Sequence, residues 1–170
     1  MKIDFDCIQR EYQQALEDCD RVFPIKRWSH APQQVKLTRH KTKYGMAMLS
    51  GDIYVSHAFI GTNAINKLRA TIRHELAHLA VGLRHQHDKS FRQFEAAFGA
   101  KKKVRKEEMQ EVHDNIPFKW QVIAHLDNGV VKDIGGAHRR SKRFKSYAPN
   151  KFNFMTVDGV KVERFEFVEN

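Results

Sequence analysis

The sequence predicts an α+β fold: helices and a small sheet up to about residue 115, then a small antiparallel β unit. Three observations predict it. Apolar residues recur every three or four positions in three segments before residue 100, the period of one helix face. Between the first two of these segments lie short runs with the alternating pattern of strands. Beyond residue 116 the chain turns to β-branched and aromatic runs, punctuated by Asn128-Gly129 and Asp158-Gly159, both of which favour two-residue hairpin turns.

Taken in order, Phe5, Ile8, Tyr12, Leu16 and Cys19 mark a packing helix over 4–22, stopped by Pro24. Val35 and Leu37 alternate with polar residues as a half-buried strand does. Residues 44–49 and 53–55 form two further strands joined at Ser50-Gly51-Asp52. The strongest helical stripe, Ile65, Leu68, Ile72, Leu76, Leu79 and Leu83, predicts a helix over 63–83. Asp88 N-caps the next helix, which buries Phe91, Phe94 and Phe98 and ends at Gly99. Residues 101–113, with charges in blocks and few large apolar side chains, read as an exposed helix or linker. A boundary near Asn115–Pro117 divides the chain into a domain over 1–115 and a β module over 116–170. Strands are expected at 120–126, 130–134, 151–157 and 160–168.

The 170 residues carry 30 Lys+Arg against 20 Asp+Glu, a net charge of +10, together with 10 histidines. The longest apolar runs, such as 46–49, fall far short of the roughly 20 residues of a membrane span, and the first residues lack the apolar centre of a signal peptide. Cys7 and Cys19 are too few for a disulfide framework and lie outside any CxxC pair. We therefore expect a cytoplasmic protein in a reducing compartment, without membrane association. The excess charge is densest between Arg139 and Lys151, where six basic residues occur with no acid. Arg139, Arg140, Lys142, Arg143 and Lys145 can neutralise phosphates, while Phe144 and Tyr147 can stack on unpaired bases, which points to DNA in single-stranded or junction form. The competing reading is a solvated strand and loop whose aromatics pack inward.

Chemistry is concentrated in His74-Glu75-Leu76-Ala77-His78. Histidines four apart lie on one helix face and can hold one zinc ion, with the intervening glutamate as general base. Here the apolar stripe centres near Ile72 and Leu76, so His74 and His78 point to the other side and Glu75 lies at the edge between. A catalytic zinc keeps a third protein ligand and an open position. His85 and His87 are candidates, and Glu95 on the following helix is a carboxylate alternative. The metzincin position is occupied by Arg84. Tyr44, Tyr54, His57 and Arg84 are candidates for stabilising an oxyanion.

The segment His87-Asp88-Lys89-Ser90-Phe91, nine residues after His78, resembles the third-ligand segment of the SprT-like metallopeptidases. Tyr44-Gly45-Met46-Ala47, Gly51-Asp52-Ile53-Tyr54-Val55 and Leu68-Arg69-Ala70-Thr71-Ile72-Arg73 resemble that family's strand hairpin and the approach to its active-site helix. The resemblance spans roughly residues 1 to 100. It implies a zincin-like domain in which His74, His78 and His87 hold one Zn2+ and Glu75 activates the bound water. It also implies a protein substrate bound or crosslinked to DNA. Many members end in a zinc ribbon made from two cysteine pairs, whereas no cysteine follows Cys19 here. The C-terminal unit is therefore expected to be a metal-free counterpart stabilised by Trp120, Phe152, Phe154, Phe165 and Phe167. Two rival functions are a nucleic-acid-binding module with a zincin fold and weak or no peptidase activity, and a metallohydrolase of small molecules.

Overall fold

The computed structural model describes residues 1–100 and 103–170; Lys101 and Lys102, at the head of the basic cluster preceding the fourth helix, lie outside the described residues. The chain divides into two compact units, Met1–Ile116 and Pro117–Asn170.

In the first unit, α1 (Phe5–Val22) begins at Asp4, whose Oδ1 accepts from the Cys7 backbone N–H at 2.7 Å. It buries Cys7, Ile8, Tyr12, Ala15 and Cys19, much as the apolar period demands. Three short strands follow: β1 (Val35–Thr38), β2 (Gly45–Ala47) and β3 (Ile53–Ser56). The sheet order is β1-β3-β2, with β1 parallel and β2 antiparallel to β3, so β2 is an edge strand. The β2–β3 turn requires glycine: Gly51 has φ +88°, and a Cβ there would lie 1.9 Å from the Ala31 carbonyl oxygen.

Helix α2 (Ile65–Val81) packs across this sheet and against α1 and α3. Leu68, Ile72, Leu76 and Leu79 are fully buried. Burial extends beyond the predicted stripe to Thr71, Glu75, Ala77 and Ala80, because the sheet and α3 cover faces that a surface helix would expose. Gly82, at φ +107°, ends α2 two residues earlier than the periodicity suggests. Helix α3 (Lys89–Ala97) starts at Asp88 as expected. Phe91 and Phe98 are buried, Phe94 packs at the core's margin, and Gly99 at φ +73° follows.

The exposed helix or linker expected over 101–113 is the helix α4 (Lys106–Asp114), most of whose residues are exposed, but Glu108 and Val112 are buried against the domain. Its acids close the start of α2, which has no cap of its own. Glu108 Oε2 accepts from the Lys67 N–H at 2.9 Å and Oε1 from Asn66 Nδ2 at 2.7 Å, while Glu111 Oε1 accepts from the Asn63 N–H at 3.0 Å. Carboxylates at a helix N-terminus satisfy orphan N–H groups and oppose the positive end of the dipole.

The second unit is an antiparallel sheet in the order β5-β4-β7-β6, made of β4 (Trp120–Leu126), β5 (Val131–Ala137), β6 (Thr156–Val157) and β7 (Val160–Glu169). The predicted strand over 151–157 shrinks to β6, because Asn150 Oδ1 accepts from the N–H groups of Phe152 and Asn153 and folds the chain into a turn. A four-residue helix, α5 (Lys142–Lys145), precedes it. The expected aromatic core is also corrected: Phe152 is 90% exposed and Phe154 43%. Ala124, Leu126 and Val162 form the buried centre, with Tyr147, Met155 and Phe165 packed against it. Among the described residues, no helix is long and apolar enough to cross a membrane.

Candidate active site

Helix α2 brings His74 and His78 to one face, and the loop after Gly82 carries His87 back over them. The His74 and His87 Nε2 atoms are 3.1 Å apart, and those of His78 and His87 are 3.2 Å apart. Ligand atoms of the three all lie within 4.8 Å of one another. A tetrahedral ion with Zn–N bonds of roughly 2.0 Å separates its ligand nitrogens by about 3.3 Å. One proton can join only one such pair, so three converging ring nitrogens are a donor set suited to a metal ion, and the residues fit zinc. Among the candidate third ligands the structure brings in His87. His85 instead donates from Nδ1 to Asp88 Oδ2 at 2.7 Å.

The surroundings hold these rings. Glu95 Oε1 lies 2.9 Å from His74 Nδ1, which places the proton on Nδ1 and the lone pair on Nε2. Glu95 therefore pairs with one of the three histidines and stands outside their group. Phe91, fully buried, lies under all three imidazoles, with centroids 4.2 Å from His78, 4.8 Å from His87 and 4.9 Å from His74. His87 adopts φ +55°, a left-handed conformation that costs a non-glycine residue energy. Its turn is braced by Arg92 Nε donating to the His87 carbonyl at 3.0 Å, and by Asp88, whose Oδ1 accepts from the Phe91 N–H at 2.9 Å. Sequence periodicity marked Phe91 only as core; nothing in it distinguishes a core ring from the floor of a site.

Burial also sets the electrostatics. It lowers the His78 pKa to about 4, helped by His74 and His87, and lowers that of His74 against the opposing pull of Glu95. Glu75 is only 6% exposed. Desolvation raises its carboxyl pKa to about 7, while Lys43 and a hydrogen bond from the Ala47 backbone N–H act in the opposite direction. Gly45 permits this approach: a Cβ there would lie 2.7 Å from Glu75 Oε1.

These groups line a cleft of about 480 Å³ with Tyr44, Gly45 and Met46 of the β2 segment on one side. Tyr44 is therefore the oxyanion candidate placed in the cleft; Tyr54, His57 and Arg84 are not among its lining residues. The Ser56 N–H donates to the Tyr44 carbonyl and the Met48 N–H to the Asp52 carbonyl. Alternation along the strand then turns the backbone groups of Gly45 and Ala47 to the outer edge of the sheet.

In the second unit Arg139, Arg140, Lys142, Arg143 and Lys145 are exposed. The aromatics proposed from sequence to stack on bases are instead engaged within the unit. The Phe144 ring lies 4.5 Å from Phe165, and Tyr147 lies 5.0 Å from Phe165 and donates to the Val162 carbonyl at 2.7 Å. Arg140 sits over Trp120 at 5.1 Å and Arg143 over Phe144 at 5.7 Å.

A helix bearing His-Glu-x-x-His against a sheet whose edge strand borders the cleft, with a third histidine from the following loop, defines a zincin-type domain. The family model described as SprT-like matches residues 8–113. The chain belongs to the SprT-like family, a membership consistent with a metallopeptidase-type role. No curated protein and no solved structure matches it.

Proposed function

We propose that the protein is a zinc-dependent endopeptidase of SprT-like type acting on proteins on or crosslinked to DNA. The observation that carries the reading is the convergence of three histidine nitrogens beside a buried glutamate. His74, His78 and His87 would hold the ion, which when bound polarises the scissile carbonyl and acidifies a water molecule. Glu75, with its carboxyl near neutrality, accepts the water's proton and returns it to the leaving amine. The Ala47 N–H orients that carboxylate, and Glu95 keeps His74 in the tautomer that offers Nε2. The outward backbone of Gly45 and the Ala47 carbonyl, the Ala47 N–H being held by Glu75, suit an extended peptide added as a further strand, which favours a polypeptide over a small molecule.

Recruitment to DNA rests on the five exposed cations between Arg139 and Lys145. Phe152, exposed at the tip of the Asn150 turn with Lys151 Nζ 5.8 Å from its ring, offers the stacking face that Phe144 and Tyr147 do not.

The test is casein hydrolysis by the zinc-loaded protein and by Glu75→Gln, with and without single-stranded DNA, across salt concentration. The variant should keep one zinc and lose activity by about 10²–10⁴-fold. Stimulation by DNA should fall steeply as salt rises. Full activity in Glu75→Gln would remove the mechanism, and stimulation that is flat with salt would remove the DNA assignment.

A further inference from the structure

Lys67 lies in the first turn of α2, seven residues before His74. Two turns of helix place both residues on the same face, and both line the cleft. The Lys67 ammonium sits 4.8 Å from the centre of the Tyr44 ring. Burial lowers its pKa, and no neighbouring carboxylate opposes that shift. No ion pair involves its Nζ among the described residues: Glu108 engages only its backbone N–H. The cleft's own carboxylates are committed, Glu75 to the Ala47 N–H and Glu95 to His74. A half-buried ammonium facing an aromatic ring is partly compensated by the ring's negative face, but not to the extent that an anion would achieve.

We propose that Lys67, with Tyr44 beneath it, is a substrate subsite that binds an acidic side chain. The proposal rests on the peptidase reading and names a substrate class for it. Seven helical residues span about 10 Å, and an extended peptide advances about 3.3 Å per residue. The acidic residue therefore lies about three positions from the scissile bond. Nucleic-acid phosphates suit this place less well, because Glu75 and Glu95 lie in the same cleft and would repel a polyanion.

The experiment uses two fluorescence-quenched peptide mixtures, identical except that one carries glutamate and the other glutamine at the positions flanking the randomised scissile region. The zinc-loaded protein should cleave the glutamate set with a kcat/KM about tenfold or more higher, the difference lying mainly in KM. In Lys67→Met the ratio should fall to about one, and in Lys67→Glu it should invert; zinc content and thermal unfolding confirm that both variants fold. A second arm measures binding of the same mixtures to zinc-loaded Glu75→Gln, where the glutamate set should bind about tenfold more tightly.

If neither set is cleaved but the binding preference is present and depends on Lys67, the peptidase reading fails and the subsite stands. Equal binding and cleavage of the two sets by the wild-type site, or a preference that survives Lys67→Met, overturns the subsite. A Lys67-dependent affinity for a single-stranded oligonucleotide without any peptide preference also overturns it, in favour of nucleic acid.

Discussion

A Cβ on Gly45 would lie 2.7 Å from Glu75 Oε1, 2.8 Å from its Cγ and 2.9 Å from Thr71 Cγ2. These atoms are packed between α2 and the strand edge, so relief must come from moving both the glutamate and the Thr71 methyl. Gly45→Ala should therefore retain bound zinc while lowering kcat by about 10–100-fold, measured as casein hydrolysis beside metal content. An unchanged kcat would show that Glu75 tolerates displacement. The sequence marks Gly45 through a resemblance in Tyr44–Ala47, but the steric reason is visible only when β2 meets α2. Asp88 shows the same division. Its role as an N-cap is readable from its place before an apolar period, whereas its second oxygen's bond to His85 is a matter of loop geometry.

Among the elements, α2 illustrates how one helix can depend on others for its start. Its apolar stripe and its two histidines are legible in the sequence, yet the Lys67 N–H of its first turn is satisfied by Glu108, forty-one residues away on α4, and Glu111 holds the Asn63 N–H just before the helix. Block charge in residues 101–113 looks like a solvated face because sequence alone does not distinguish an acid in water from one aimed at a helix end. Glu108→Ala should destabilise the protein by about 1–3 kcal/mol, since it strands the Lys67 N–H and the Asn66 amide, whereas Glu107→Ala should be nearly neutral. Chemical denaturation of the two variants checks this.

The joint between α1 and α2 gives a pH dependence. Arg73 donates to Asp18 Oδ2 at 2.5 Å and to the Phe98 carbonyl at 3.0 Å, tying α1, α2 and the end of α3 together. The guanidinium holds the Asp18 carboxyl below its ordinary pKa. A carboxyl depressed in the folded state stabilises above its unfolded pKa and loses that contribution as pH falls through the folded value. Asp18→Asn should cost about 1 kcal/mol at neutral pH, with the difference from wild type shrinking as pH falls from the ordinary carboxylate range through the depressed folded value. Denaturation curves at pH 7 and at acid pH test it; a difference that persists in acid would assign the cost to packing.

At the scale of the whole molecule, chemistry and charge fall in different units. The histidine group and its cleft belong to Met1–Ile116, and the acid-free basic stretch belongs to Pro117–Asn170. A chain ending at Ile116 should accordingly keep one zinc and Glu75-dependent hydrolysis of casein, while losing most of its salt-sensitive affinity for single-stranded DNA. Retention of that affinity would move the nucleic-acid contact into the first unit.

The α+β class, most element positions, the helix carrying His74, Glu75 and His78, and the concentration of cations after Arg139 are all legible in the linear chain. All of these follow from periodicity, spacing and composition, which are local properties of the chain. Tertiary structure decided the rest. It placed His87 rather than His85 over the helix, made Glu95 a partner of His74, set Gly45 against Glu75, buried Glu108 and directed Phe144 and Tyr147 inward while leaving Phe152 exposed. Each of these depends on which groups meet across the fold, because burial and partnership, rather than residue type, determine whether a charge or a ring serves packing or chemistry.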